Sequence, residues 1–230
     1  MCRVRLEPLE TEELLTCYFC REQYKTRIWC PEGHYVCQSC YHKPISRFIA
    51  DVVKTSMSKD PFDLSNVMMA YPSLPDCSCE HSWILATAVL ITIKNEGVVK
   101  ITNNNILESL EAIKEQAITS LAHRTGICGI IPAVGVVFHT VFKAANGGAD
   151  RDTTTMKVVA QAIDHLADNA ENCMCCKSIV WTTIDLVVSL LRARFGIMLE
   201  GSAEDIICHQ VGMVGNCNPS ACQYSVLLRT

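Results

Sequence analysis

Four cysteines near the start of the chain, arranged as two pairs, constrain the fold more than any other feature of the sequence. Two residues separate the members of each pair, which are Cys17 with Cys20 and Cys37 with Cys40. A Cys-x2-Cys knuckle lets two thiolates point at one ion, and two knuckles close a tetrahedral four-thiolate site that suits zinc. We therefore predict that these four cysteines share one zinc ion.

Cys30 and His34 lie between the two pairs and leave a second interpretation open. The six positions together resemble the first three-quarters of a RING cross-brace, in which Cys30 and His34 help to bind a second zinc ion. The next cysteines, Cys77 and Cys79, have Cys-x-Cys spacing, whereas a RING needs a final Cys-x2-Cys pair. We therefore favour Cys30 and His34 as residues that line the knuckle loop or substitute as metal ligands within one site.

Cysteine is abundant along the whole chain, with 15 among 230 residues. An odd number fits poorly with a fully paired set of disulfides. The first residues contain no apolar run typical of a signal peptide, and no stretch reaches the roughly 18 to 20 uninterrupted apolar residues of a membrane span. We therefore expect a cytoplasmic protein without membrane contact, where thiols stay reduced and serve in metal ligation or thiol chemistry.

The overall composition restricts the classes of function. Hydrophobic residues make up 49% of the chain, which is enough to bury a core, and the formal net charge is −4. That charge argues against nucleic acid as the partner, because phosphate contacts need concentrated positive charge. The sequence also lacks the GxGxxG, P-loop, HExxH and GxSxG motifs, so nucleotide-binding and common hydrolase functions lose their best support.

The periodicity predicts a mainly α fold in three parts. Residues 1–44 form a small zinc-knuckle module, residues 45–196 a helical domain of five to six helices, and residues 197–230 an irregular Cys-rich tail packed on that domain. The helical domain begins with an apolar stripe at helical spacing, from Ile45 to Val53. The predicted helices cover 45–53, 83–93, 105–124, 130–145, 153–170 and 178–195, with a Pro-rich connector after the first. The β-branched residues of 83–93 also allow a strand, and the length of the apolar run favours a helix.

Within the helical domain, three cysteines form the second candidate site. Cys173 and Cys176 are three residues apart and can face the same way on a helical turn, although Cys175 can replace Cys173. With Cys128 they supply three thiolates and leave one position open, as in catalytic iron–sulfur sites. The alternative is that Cys128 packs as a small core residue near glycines.

Glu80 and His81 are the candidate acid–base pair, because they precede the apolar run at residue 83. A carboxylate–imidazole pair can ligate metal or shuttle protons beside the open position of a cluster. A plain polar pair at a helix terminus explains the same residues equally well.

The tail carries the last candidate ligands, Cys208 next to His209, Cys217 and Cys222. Spacing of this kind in a Gly- and Asn-rich loop suits metal ligands better than helix packing. A structural zinc ion, an iron–sulfur cluster and a redox thiol pair all stay open for these cysteines.

The order of these motifs resembles an uncharacterised family, domain of unknown function five-seven-one-four. The motifs are Cys17-x2-Cys20, Cys-Pro-Glu-Gly-His-Tyr-Val-Cys-x2-Cys at 30–40, Glu80-His81, Cys128-Gly, Cys175-Cys176-Lys177 and the cysteine tail. Members of that family occur in methanogenic archaea and other anaerobes, alone or fused to radical-SAM or methyltransferase-like enzymes. The chain departs from the family at 77–82, where the family has a His-Gly-Pro-Glu-His-His run, and at Ala133-Val134, where it has a second Cys-Gly.

The resemblance implies a metalloprotein of anaerobic metabolism whose partner is another metalloenzyme or a radical-SAM or methyltransferase-type enzyme. A fainter likeness links Cys128 and the following residues to the helical domains of iron–sulfur serine dehydratases and cysteine desulfidases, which implies a cluster iron acting as a Lewis acid.

Two hypotheses follow. The first is a metalloprotein with structural zinc and an iron–sulfur cluster of the 4Fe-4S type, acting in sulfur handling, redox or maturation of another enzyme. The second is a non-catalytic, zinc-dependent adaptor that docks a protein or nucleic acid.

Overall fold

The computed structural model describes residues 4–146, 153–170, 175–208, 210–212, 215 and 217–228, and it confirms the mainly α fold. The described residues form nine helices and one small sheet of two strands. The predicted limits of the three parts, 1–44, 45–196 and 197–230, stay predictions, and we use the names N-terminal module, helical domain and tail for these ranges.

The N-terminal module contains a β-hairpin that the sequence analysis did not predict. Its strands are β1 (Glu7–Thr16) and β2 (Gln23–Trp29), which pair antiparallel with an irregular register between Pro8 and Glu13. Side chains on both faces of β1 are mostly exposed. The alternation of apolar and polar residues that identifies a half-buried strand is therefore missing from its sequence. A short helix, α1 (Gln38–His42), follows the hairpin.

Eight helices follow in the helical domain, where five to six were predicted. They are α2 (Ile45–Thr55), α3 (Pro61–Met69), α4 (Glu80–Glu96), α5 (Asn103–Gln116), α6 (Thr119–Thr125), α7 (Ile130–Ala145), α8 (Thr153–Ala170) and α9 (Cys176–Phe195).

Two local features explain the additional helices. Helix α3 lies in the segment predicted to be a Pro-rich connector, because Pro61 occupies the first helical turn, where its missing N–H is no loss. The Asp60 carboxylate caps this helix by accepting hydrogen bonds from the backbone N–H groups of Phe62 and Asp63. The predicted helix 105–124 is divided into α5 and α6, because Ala117 and Ile118 leave the helical conformation.

Helix α4 is the centre of the core. It is apolar on all sides and buried over most of its length, and it packs against α3, α5, α7 and α9. The apolar run at 83–93 is thus a buried helix and not a strand. Gly97 ends the helix in the left-handed conformation that glycine adopts without strain.

The N-terminal module packs on the helical domain through aromatic rings. Phe19, from the loop after β1, makes edge contacts with Phe48 of α2 and with Tyr71, and the rings of Phe48 and Tyr71 stack at 3.8 Å. The Tyr71 hydroxyl also donates a hydrogen bond of 2.6 Å to the backbone oxygen of Cys40. The tail also packs on the domain, where buried Tyr224 contacts Trp181 of α9.

Candidate metal centre

The structure brings Cys17, Cys20, Cys37 and Cys40 together, and we call these residues the first cysteine group. Their four sulfur atoms all lie within 4.8 Å of one another. Three of the four side chains are buried, and Cys20 is exposed. Elsewhere in the described ranges, no three ligand atoms of Cys, His, Asp or Glu come as close.

The distances within the first cysteine group suit one thiophilic ion. Four thiolates bound to zinc at about 2.3 Å lie about 3.8 Å apart along each edge of the tetrahedron. The Sγ atoms of Cys20 and Cys37 are 3.8 Å apart. Backbone N–H groups donate to two of the sulfurs, from Cys37 to the Sγ of Cys17 and from Cys40 to the Sγ of Cys37, each at 3.4 Å. Such N–H groups stabilise the negative charge of bound thiolates.

Two turns position these cysteines. In the first knuckle, which joins β1 to β2, the Arg21 N–H donates to the Cys17 oxygen at 3.0 Å, and Arg21 has a φ of 62°. A non-glycine residue adopts this left-handed conformation only when its surroundings hold it there. In the second knuckle, Cys37 caps the N-terminus of α1. A backbone hydrogen bond of 2.8 Å from Tyr18 to Tyr35 ties the two knuckles together.

The thiols of the first cysteine group differ in acidity. Burial acts to raise the pKa of Cys17, but hydrogen bonds from the backbone N–H groups of Cys37, Cys20 and Phe19 outweigh it and lower the pKa to about 7. Burial raises the pKa values of Cys20 and Cys40. At neutral pH the metal-free group is therefore a mixture of thiolate and thiols, so metal binding must release protons.

Cys30 and His34 form a separate pair. The Cys30 side chain is buried, and its Sγ lies 3.9 Å from Nδ1 of His34. Neither residue belongs to the first cysteine group. Both line a cavity of about 500 Å³ between the N-terminal module and the helical domain, together with Tyr71 and Lys177.

A second set of cysteines meets in the helical domain, and we call Cys77, Cys79, Cys128 and Cys176 the second cysteine group. The Sγ atoms of Cys176 and Cys77 are 3.7 Å apart. Burial, with smaller contributions from the charges of Cys77 and Cys128, raises the pKa of Cys176 to about 12. Burial also raises the pKa of Cys128, and the charges of Cys79 and then Cys77 add to this increase. The thiols of Cys77, Cys79 and Cys176 therefore each lie within electrostatic range of the Cys128 thiol.

The second cysteine group overlaps only partly with the predicted cluster ligands. It includes Cys128 and Cys176, while Cys173 lies outside the described residues. The Sγ of Cys175 instead accepts a hydrogen bond from the Ser178 N–H and caps α9. Sequence reasoning assigned Cys77 and Cys79 only to the RING alternative, and their Cys-x-Cys spacing was the available signal for a site.

The structure does not bring the tail cysteines together as a ligand group within the described ranges. Cys222 is buried in the core, the backbone N–H of Cys208 pairs with Tyr224, and the Sγ of Cys217 accepts a hydrogen bond from Gly212. His209 lies outside the described residues.

Glu80 and His81 are the first two residues of α4 and directly follow Cys79, the N-cap of this helix. The His81 side chain is only 2% exposed, and its Nδ1 lies 3.2 Å from the Ser78 oxygen. Its Nε2 is buried and has no hydrogen-bond partner in the part of the chain that the structure describes. Burial lowers the pKa of His81 to about 4, so the imidazole is neutral at pH 7. Glu80 is partly exposed.

Residues 49–225 match the family described as "Family of unknown function (DUF5714)". The chain belongs to this family. The family indicated by the order of the sequence motifs is thereby confirmed, whereas the anaerobic organisms and the likeness to serine dehydratases stay expectations. No curated protein and no solved structure matches the chain.

The range matched to the DUF5714 family separates the two cysteine groups. It begins at residue 49, after the first cysteine group, and it includes all four members of the second. The motif at 30–40 on which the resemblance was partly based therefore lies outside the match. Among the described helices of this DUF5714 chain, none has the length and apolar character needed to cross a membrane.

Proposed function

We propose that the chain is a metalloprotein in which the first cysteine group holds one zinc ion that folds the N-terminal module. The observation that carries this proposal is the mutual approach of the four sulfurs within 4.8 Å. Four thiolates from two knuckles are a ligand set that zinc takes in structural sites. Backbone N–H groups donate hydrogen bonds to two of these sulfurs and stabilise their charge. A closed site of four protein ligands leaves no position for a substrate, so this zinc is structural.

The composition of the module supports a structural role for the ion. The buried residues at its centre are Cys17, Cys37 and Cys40, with partly buried aromatic side chains around them. So small a core supplies little free energy of folding, and the metal provides what is missing. The zinc also fixes the chain around Cys40, whose backbone oxygen accepts the hydrogen bond from Tyr71.

The wider role we propose is that of a cytoplasmic metalloprotein in sulfur handling, redox chemistry or maturation of another enzyme. An iron–sulfur cluster in the helical domain and a metalloenzyme as protein partner are parts of this proposal. The approach of Cys128, Cys176 and Cys77 supports the cluster. An acid–base role for Glu80 and His81 is part of the same proposal, and the neutral imidazole of His81 suits it as a base or ligand.

A non-catalytic adaptor is the second candidate function, and the hairpin favours it. Leu6, Leu14 and Ile28 are each more than half exposed on or beside β1 and β2. Among the residues that the structure describes, the sheet has two strands, so each strand has an outer edge that can pair with an extended segment of another protein. Iron content separates the two functions: a brown, iron-containing protein after anaerobic purification supports the first, and a colourless zinc protein supports the adaptor.

The zinc proposal is tested by replacing its ligands in the full-length chain. We expect Cys17→Ser and Cys40→Ser each to lose one zinc ion per chain and to leave residues 1–44 sensitive to proteolysis, because zinc binding is the folding free energy of the module. Cys30→Ser is the matched control, since Cys30 is a buried cysteine of the same module outside the first cysteine group. Full zinc content in both ligand variants, measured by elemental analysis, would contradict the assignment.

A further inference from the structure

Three helices begin at the second cysteine group. Cys79 is the N-cap of α4, Cys128 precedes the N-cap Gly129 of α7, and Cys176 is the first residue of α9. These helices pack against one another in all three combinations. Each has at least 16 residues, and the N-terminus of each carries partial positive charge. Their convergence therefore favours an anionic group at this place.

Within the group, two cysteines are as close as two ligands of one tetrahedral metal ion. The 3.7 Å between the sulfurs of Cys77 and Cys176 equals, within 0.1 Å, the 3.8 Å between Cys20 and Cys37 in the first cysteine group. These residues are 99 positions apart in the sequence, so the contact is a product of the tertiary fold and not of local chain geometry. The thiols of Cys77 and Cys176 form the first pair.

Cys79 and Cys128, which lie at the N-termini of α4 and α7, are the second pair. Helix α7 also approaches Cys79 closely: a Cβ on Gly129, the residue after Cys128, would lie 2.8 Å from the Cys79 sulfur. Glycine is thus required where the backbone beside Cys128 passes this sulfur.

The two pairs are too far apart to share one ion. No three sulfurs of the second cysteine group lie within 4.8 Å of one another, whereas all four do so in the first group. One close pair, beside two further thiols that no single ion can bind together with it, suits a centre with two metal ions, one of which is bound by the close pair. A four-cysteine [2Fe–2S] cluster has this arrangement, because each iron completes its tetrahedron with two bridging sulfides.

We propose that the second cysteine group binds a two-iron, two-sulfide cluster, with Cys77 and Cys176 on one iron and Cys79 and Cys128 on the other. Each thiol loses its proton when it binds iron, and the converging helix N-termini stabilise the negative charge of the assembled cluster. This proposal rests on one part of the proposed function, namely that the helical domain binds a metal. It does not depend on zinc in the N-terminal module. The four proposed ligands take the place of the predicted set Cys128, Cys173 and Cys176. The proposed cluster is of the [2Fe–2S] type and not of the predicted 4Fe-4S type.

The test uses the full chain, purified anaerobically and reconstituted with ferric iron, sulfide and a thiol reductant. We expect about two irons and two acid-labile sulfides per chain, visible absorbance, and an electron paramagnetic resonance signal after one-electron reduction. The double variants Cys77→Ser/Cys176→Ser and Cys79→Ser/Cys128→Ser should each lose the cluster. Because two double variants remove different pairs, failure of one to fold leaves the other to test the assignment, with circular dichroism as the check on folding.

The control is Cys208→Ser/Cys217→Ser, which replaces two cysteines of the tail and should keep both irons. Three results would overturn the proposal: four irons per chain, full iron content in a folded double variant of either pair, or a wild-type chain without iron in which Cys77 and Cys176 are joined by a disulfide. Failure of the zinc proposal is a separate result, because it appears as zinc retained by Cys17→Ser while the iron content is unaffected.

Discussion

The two cysteine groups lie in surroundings that differ in how much apolar surface they bury. Around the first group, the buried residues of the N-terminal module are cysteines themselves. Around the second group, a continuous apolar core extends through the helices and includes Ile84, Leu90, Val134 and Ile184. Burial of apolar surface is the main source of folding free energy. With zinc bound as proposed, the module depends on its metal to fold, whereas the helical domain has an apolar core of its own that holds its cysteines in place.

This difference separates a structural from a functional metal. An ion that supplies the folding free energy of its surroundings cannot leave without unfolding them. A cluster on a scaffold that is already folded can change its oxidation state or its ligands while the scaffold persists. We infer that chemistry, where the chain performs it, belongs to the second group.

The largest effect we expect comes from metal removal. A strong zinc chelator should unfold the N-terminal module, whose zinc binding free energy is on the order of 10 kcal/mol, and leave the helical domain folded. Hydrogen–deuterium exchange of the full chain checks this: amides of β1 and β2 should lose protection, whereas those of α4 should keep it. Loss of protection in α4 together with the hairpin would show that the two regions fold as one unit and that the helical domain also depends on the zinc ion.

A smaller effect concerns the stability of the helical domain in acid. Because burial lowers the pKa of His81 from 6.5 to about 4, the unfolded chain binds a proton that the folded chain excludes. Stability is therefore present above pH 6.5 and is lost as the pH falls toward 4. Between pH 7 and 5 the loss from His81 is about 2 kcal/mol.

The His81→Asn variant isolates this contribution, because asparagine keeps an N–H for the Ser78 oxygen and does not titrate. Denaturant unfolding followed by tryptophan fluorescence should show a weaker pH dependence in the variant than in the wild type. The zinc site is the same in both proteins and cancels in the difference. Equal pH dependence of the two proteins would mean that the pKa of His81 is the same in the folded and the unfolded chain.

The smallest effect tests the contact between the two regions. Tyr71→Phe removes the hydrogen bond to the Cys40 oxygen but keeps the ring that stacks on Phe48. We expect a loss of about 1 kcal/mol, seen as faster amide exchange in α1, with zinc content unchanged. Tyr18→Phe is the control, since it also deletes a tyrosine hydroxyl from the aromatic cluster but leaves the bond to Cys40. Identical exchange in both variants would show that the bond does not connect the regions.

The sequence predicted best those features whose cause is local. The first cysteine group follows from two Cys-x2-Cys spacings, because each knuckle sets the direction of its own two sulfurs. The buried helix α4 follows from a long apolar run. Helix α3 was missed because three prolines in its neighbourhood indicated a connector, although Pro61 at the first turn is compatible with a helix.

Features that depend on distant segments were predicted poorly. Cys77 approaches Cys176 only because α4 and α9 pack side by side, and nothing in the sequence near either residue indicates that contact. The hairpin was missed for a different reason. Strand β1 buries little on either face, so it carries no alternating pattern.

The spacing of the ligands along the chain also sets the order in which the two sites can assemble. Cys20 and Cys37 are 17 residues apart, whereas Cys77 and Cys176 are 99 apart. The longer separation adds roughly 1.5 kcal/mol to the entropic cost of closing the loop, and it also delays contact during synthesis. The N-terminal knuckles can capture their ion while most of the chain is still unmade. The second site exists only after α9 has left the ribosome and packed, so a nascent or truncated chain cannot acquire the proposed cluster.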